Sequence, residues 1–258
     1  MKKLIKQLLG EYWIYRLKEI KSKLLHAPEQ IITEEHSIYQ DFINPGDLCF
    51  DVGANIGNKI DILLKAGAKI VAIEPQDSCY RILKHKYGRK ITLIKKGLGE
   101  SESIKEFHIS NSSTISSFSK EWIDSVKKSR FKNYNWDKVI KVPMTTLDNL
   151  IREFGNPVFI KIDVEGYELE VLKGLTQPVK MLSFEYTVPE RTERIFECLD
   201  QIEKYNKNGK CNYSIGENME LILSEWLTLT ELKEHIRTDK FPVSDFGDIY
   251  IRSMPDLK

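Results

Sequence analysis

From residue 47 onward, short apolar runs alternate with segments whose apolar residues recur every three or four positions. The runs 47–52, 69–74, 90–95, 157–163, 180–186, 211–216 and 248–252 are short and bounded by turn residues, so they read as strands. Between them the spacing predicts helices. Ile56, Ile60, Leu63 and Leu64 fall on one helix face, and Gly67 is placed to end that helix. Asp77 is expected to cap a helix bearing Cys79, Ile82 and Leu83. Thr145 with Asp148 reads as a capping box ahead of Leu147, Leu150 and Ile151. Pro189 opens a helix with Ile195, Leu199 and Ile202 inward and Gly209 at its end. Strands alternating with helices predict a parallel sheet covered on both faces, with ligands bound beyond the C-terminal strand ends. Asp51, Glu74, Asp163 and Glu185 are all expected at that one rim.

The alternation breaks over residues 100–144. Two short strands, 104–109 and 138–144, flank a serine-rich stretch (Asn111 to Ser117) and an aromatic, basic stretch with Trp122, Phe131, Tyr134 and Trp136. A connection this long inside a compact domain is usually functional, and its aromatics argue against disorder. It is expected to form a lid or an acceptor-binding wall over the rim. The domain proper is placed at 41–258, after an N-terminal segment, 1–40, of different character. Residues 1–26 hold seven Lys or Arg and two acids, a net +5, and carry an apolar stripe from Ile5 to Leu24 at helical spacing. That segment predicts a basic amphipathic helix with a linker, either packed on protein (its own domain or a second subunit) or lying on an anionic membrane surface. Its longest uncharged apolar run, Tyr12 to Tyr15, is too short to cross a bilayer, and the charges at Glu11, Arg16 and Lys18 interrupt any secretory leader.

Overall charge excludes little but points away from nucleic acid: 39 basic and 38 acidic residues leave a net +1. Cys49, Cys79, Cys198 and Cys211 are far apart and form no metal-binding pair, so they read as small core residues in a reducing, cytoplasmic setting, with the protein peripheral at the inner membrane face if its first helix binds lipid.

The chemistry is concentrated in two strand-turn-helix units. In the first, Leu48-Cys49-Phe50 runs into Asp51-Val52-Gly53-Ala54-Asn55-Ile56-Gly57. Glycines allow close backbone approach, and the helix start offers free N–H groups. A dinucleotide fingerprint would need glycine at 55 and 58, and both positions are Asn. Glu74, 23 residues after Asp51, ends the second strand, where an acid accepts hydrogen bonds from ribose hydroxyls. The pair predicts a site for a nucleoside joined to an amino acid part. In the second unit, Phe159 to Ile162 delivers Asp163 to the rim, followed by Val164-Glu165-Gly166 and a helix.

Taken together, the Asp51–Gly57 loop, Ile73-Glu74-Pro75, Thr146-Leu147-Asp148 and the run Lys161-Ile162-Asp163-Val164-Glu165-Gly166 closely resemble the FkbM family of S-adenosylmethionine-dependent methyltransferases, over about residues 47–190 and weakly again at Phe246–Ile251. The resemblance implies a class I, Rossmann-like α/β fold: a seven-stranded, mostly parallel sheet with helices on both faces and a final antiparallel strand. It implies methyl transfer to oxygen, commonly a hydroxyl of a sugar, surface glycan or related natural product. Asp51, Gly53, Asn55 and Gly57 would wrap the methionine and ribose part of S-adenosylmethionine. Glu74 would hold the ribose hydroxyls, the stretch from Gly97 to Gly99-Glu100 would lie by the adenine, and Asp163 would sit beside the transferred methyl.

An alcohol is a poor nucleophile while protonated. Asp163, Glu165 and Glu185 are the candidates to take its proton, or to hold a divalent metal that lowers its pKa. The rival readings are a non-catalytic nucleoside-binding protein on the same fold and a dinucleotide-dependent oxidoreductase. The expected partners are a small-molecule or glycan acceptor, no nucleic acid, and a membrane or self-association contact through residues 1–26.

Overall fold

The computed structural model describes residues 38–217, 220–242 and 245–253. The expected N-terminal basic helix, and all of 1–40 except the 3₁₀ turn at Ile38–Asp41, lies outside the described residues. Among the described residues no helix is long and apolar enough to cross a membrane.

Strands and helices alternate as the apolar pattern predicts. Strand β1 (Leu48–Val52), helix α1 (Asn58–Lys65), β2 (Lys69–Ile73), α2 (Asp77–Tyr87) and β3 (Thr92–Ile94) form the first half. The irregular region follows, with β4 (Gly97–Leu98), β5 (Ile104–Ile109), α3 (Lys120–Val126) and β6 (Lys138–Thr145). Then come α4 (Leu147–Phe154), β7 (Phe159–Ile162), α5 (Glu168–Lys173), β8 (Met181–Val188), α6 (Thr192–Glu203), β9 (Lys210–Tyr213), β10 (Leu227–Thr228), α7 (Leu229–Ile236) and β11 (Asp245–Arg252).

The main sheet has the order β10-β9-β11-β8-β7-β1-β2-β3. The pairs β1–β2, β1–β7, β2–β3 and β7–β8 are parallel, whereas β11 runs antiparallel to both β8 and β9. This is the expected class I methyltransferase sheet with its reversed last strand, extended at one edge by the two-residue β10. Alternation along β1 feeds both faces. Phe50 and Val52 join the core under α4, α5, α6 and α7, while Cys49 joins the core under α1 and α2. The sheet order turns back between β1 and β7, the switch point where a ligand crevice opens.

Several local expectations are corrected. Gln76, not Asp77, precedes α2; Asp77 is its first residue and pairs with Arg81 and Lys95. Thr146, not Thr145, caps α4, accepting from Asn149 N at 3.0 Å, while Asp148 is held by Thr176. Helix α6 starts at Thr192 rather than Pro189 and ends before Gly209 is reached. Glu185 lies in mid-strand, because β8 runs on to Val188 to match the length of β11.

The 100–144 segment is built, not loose. Strands β4, β6 and β5 form a separate three-stranded sheet. Trp122 is buried against Gly166, and Ser117 Oγ donates to Glu165 O at 2.6 Å. Arg130 grips both carboxylate oxygens of Glu190 (3.1 and 2.9 Å) and donates to Val188 O at 2.9 Å; Glu121 pairs with Arg191 and Arg194. These bonds tie the segment to the turn after β7 and the connection after β8.

Candidate active site

At the C-terminal edge of β1, β2 and β7 lies a cavity whose empty space, counted out to its open mouth, is about 990 Å³. Its lining includes Asp51, Gly53, Asn55, Glu74, Gly97, Asp163, Glu165 and Glu185 of the predicted residues. Phe107, Ser113, Thr114, Ser116 and Phe118 come from the 100–144 segment and close one wall.

The glycine loop is hung from its neighbours. Gly53 N and Ala54 N both donate to Ile73 O, and Asp163 N donates to Val52 O. Gly53 has φ +83°, and a Cβ there would overlap the carbonyl oxygen of Asp163, so only glycine lets the two loops touch. Asn55 also sits in the left-handed region (φ 47°), a conformation Asn tolerates better than most residues. Its N–H donates to Glu74 Oε2 at 2.8 Å, while Gln76 N donates to Oε1 at 2.6 Å.

Glu74 is therefore a braced, 5 % exposed carboxylate. Burial pushes its pKa up to about 8, against the pull of the two N–H groups and with some help from Asp51. Each oxygen accepts one backbone bond and keeps a lone pair, the acceptor set that paired ribose hydroxyls require. Gln76 Oε1, on a second lining residue, is buried with no hydrogen-bond partner among the described residues. This donor and acceptor chemistry, with apolar Ile73, Leu98, Phe107 and Phe118 on the same cavity, fits a nucleoside.

Two expected contacts fall elsewhere. Gly57 does not line the cavity. It precedes α1 with φ 87°, and an added Cβ would collide with Tyr87, whose hydroxyl donates to Gly57 O at 2.6 Å. Gly99 and Glu100 line a separate small cleft with Tyr167 and Glu170, because the chain leaves the main sheet at Ile94.

At the other end of the cavity, one oxygen from each of Asp163, Glu165 and Glu185 lies within 4.8 Å of the others. Glu165 reaches the group through a left-handed backbone (φ 56°). It does not cap the following helix. The helix starts at Glu168 with no side-chain cap, and Glu168 instead braces the turn before it, its carboxylate accepting from Val164 N at 3.2 Å and Gly166 N at 3.0 Å. Burial pushes Glu168 up to about 7. Burial likewise raises Glu165 and Glu185 well above the ordinary carboxylate range, with neighbouring carboxylates adding to it. Asp51, 2 % exposed, is raised by burial to about 6, with Lys161 opposing.

Lys161 is the residue that sequence reading passes over. Its side chain is 3 % exposed, and Nζ pairs with Asp163 Oδ2 at 2.6 Å. Burial works against its charge, but Asp163, Asp248 and Asp51 outweigh burial and hold it protonated. Asp248, buried and raised by burial, was missed as well; it faces Glu185 across β8–β11. The available signal was a lysine inside Phe159-Ile160-Lys161-Ile162, a strand otherwise apolar on both faces.

The reversed seven-strand order, the glycine loop with its braced acid and the carboxylates at the switch point define a class I methyltransferase. The model of the methyltransferase FkbM domain matches residues 51–222, and the chain belongs to that family. It is 28% identical over 141 residues to the hexuronic acid methyltransferase AglP of Haloferax volcanii, a match covering 54% of each protein, so the chain spans about half the length of this curated relative. Among solved structures it is similar to precorrin-6y C5,15-methyltransferase from Geobacter metallireducens (9% identity, TM-score 0.43, 89% of this chain and 93% of that one). It is similar also to a TehB-like SAM-dependent methyltransferase from Corynebacterium glutamicum (7% identity, TM-score 0.43, 95% and 97%).

Proposed function

We propose that the protein transfers the methyl group of S-adenosylmethionine to a hydroxyl oxygen of a sugar or glycan, with an acidic sugar as the first class to test. The observation that carries this reading is the single cavity that joins a braced, nucleoside-compatible Glu74 to a group of three carboxylates. Glu74, Gln76, Asp51 and the Gly53–Asn55 loop would hold the cofactor. When bound, S-adenosylmethionine supplies a methyl group already activated on a sulfonium, so no covalent step is asked of the protein.

What the chain must do is align the acceptor oxygen, exclude water and take a proton. Asp163 is engaged by Lys161, whereas Glu165 and Glu185, raised by burial above the ordinary carboxylate range, stand beside it without a cation partner of their own among the described residues. The proton of the acceptor hydroxyl goes to whichever of Glu165 and Glu185 is ionised, and Asp163 is held in place by Lys161. Acidic-sugar acceptors enter through the hexuronic acid activity named for the relative from Haloferax volcanii.

The test is methyl transfer from labelled cofactor to a panel of neutral and uronic-acid glycans, read by mass spectrometry. Glu185→Gln and Glu165→Gln are expected to bind S-adenosylhomocysteine normally, and the one that removes the base is expected to slow turnover by about 10²–10⁴-fold. If both variants keep wild-type turnover, the base assignment fails. Loss of turnover in a chelator, restored by magnesium, would give the role to a bound cation instead.

A further inference from the structure

Two rows of polar residues cross the sheet at the cavity, which Asp51, Lys161, Asp163 and Glu185 line. In the first, Asp51, Lys161, Ser183 and Tyr250 are aligned partners on the adjacent strands β1, β7, β8 and β11. In the second, two residues further along, stand Asp163, Glu185 and Asp248, the last two aligned with each other. Side chains two residues apart on a strand share a face, so both rows lie on one side of the sheet. Lys161 is the cation in this array, opposed by Asp163, Asp248 and Asp51. Of these acids it bonds the one at the rim, Asp163, at 2.6 Å.

We propose that Lys161 is a positioning residue for methyl transfer: its ammonium fixes the Asp163 carboxylate at the rim of the cavity in the orientation that turnover requires. This rests on the methyltransferase reading above and adds to it a residue of the cavity lining that acts through another side chain. The geometry supports it in three ways. The pair is two residues apart on one strand end, so the contact is short-range and rigid. Lys161 is almost wholly enclosed while Asp163 is 31 % exposed, so the bond ties a partly exposed group to an enclosed one. The backbone of Asp163 is also held, its N–H on Val52 O and its carbonyl against Gly53, which leaves the side-chain torsion as the freedom that Lys161 removes.

The test is a double-mutant cycle on full-length protein, with Lys161→Met, Asp163→Asn and both together. The readouts are kcat, the Kd for S-adenosylhomocysteine by calorimetry, and the thermal midpoint. Lys161→Met is expected to lower kcat about tenfold or more while the Kd stays within about threefold. In the double variant kcat should be no lower than in the slower single variant, because both changes remove one interaction. Multiplying effects on kcat would overturn the proposal, as would a loss of binding as large as the loss of turnover, since either assigns Lys161 a general structural role.

Should Lys161→Met not fold, Asp163→Glu decides. It keeps the ion pair and moves the carboxylate by one methylene. It is expected to lower kcat with an unchanged thermal midpoint and Kd, and wild-type turnover in that variant overturns the proposal. Failure of the methyltransferase reading is told apart by the wild-type protein, which would then transfer no methyl group. In that case the coupling between Lys161 and Asp163 is read from the thermal midpoints, where additive losses would overturn the fixed pair itself.

Discussion

A carboxylate's role here is set by what burial and backbone N–H groups do to it. Glu74 is the clearest case, with two backbone donors and almost no exposure. Glu74→Gln places an amide where both oxygens accept, so at least one donor loses its partner. The loss of charge-assisted bonds is expected to weaken S-adenosylhomocysteine binding by about 2–4 kcal/mol, measured by calorimetry. Stability carries the same signature. An acid whose folded pKa lies above its unfolded one binds more protons folded than unfolded in the interval between, so stability falls as pH rises through it. For Glu74 the interval reaches about 8, for Glu168 about 7 and for Asp51 about 6. The ligand-free protein is therefore expected to lose thermal stability from about pH 5 to about pH 8, by up to about 1.4 kcal/mol per pH unit for each group. Glu74→Gln should flatten the upper part of that slope. A melting temperature constant over this range would contradict the burial argument.

At the scale of elements, the 100–144 segment decides whether the cavity has a wall. It was legible as an insertion from its length, serines and aromatics, and its two strands fall at the short runs expected at 104–109 and 138–144. Its docking was not legible, since Arg130 meets Glu190 60 residues away and Trp122 meets Gly166 on the turn after β7. Arg130→Ala removes a two-pronged, partly buried bond and leaves Glu190 uncompensated. It is expected to cost about 1–3 kcal/mol, which for a chain of this size is several degrees of melting temperature. Proteolysis within 111–136 should become faster. Gly166→Ala is expected to be worse, because the position has φ +83° and the new methyl would overlap Trp122. Trp122 fluorescence reports the displacement, and an unaltered spectrum with unaltered stability would mean that the contact is soft.

For the whole molecule, ligand choice is expected to show as linkage. A ligand that binds only the folded state at 100 times its Kd adds about 2.7 kcal/mol. S-adenosylmethionine and S-adenosylhomocysteine are expected to raise the melting temperature accordingly, and NAD is expected to leave it unchanged. Asn55 and Asn58 stand where a pyrophosphate-binding loop needs glycine. An equal shift with NAD would return the oxidoreductase reading.

The sequence by itself determined the alternation of strands and helices, the two turns at the sheet rim and the family. These are local properties: hydrophobic period, glycine placement and short runs such as Lys161 to Gly166 carry them without reference to distant residues. Only the tertiary structure decided which acids meet. Glu185 reaches Asp163 and Glu165 from mid-strand, Glu168 rather than Glu165 braces the turn, and Gly57 answers to Tyr87 rather than to the cavity. Lys161 reads as one odd residue in an apolar strand until β1, β8 and β11 bring Asp51 and Asp248 to it. The reason is physical: pairing between strands joins residues far apart in the chain, and the balance of burial against charge that sets each group's chemistry exists only after that pairing.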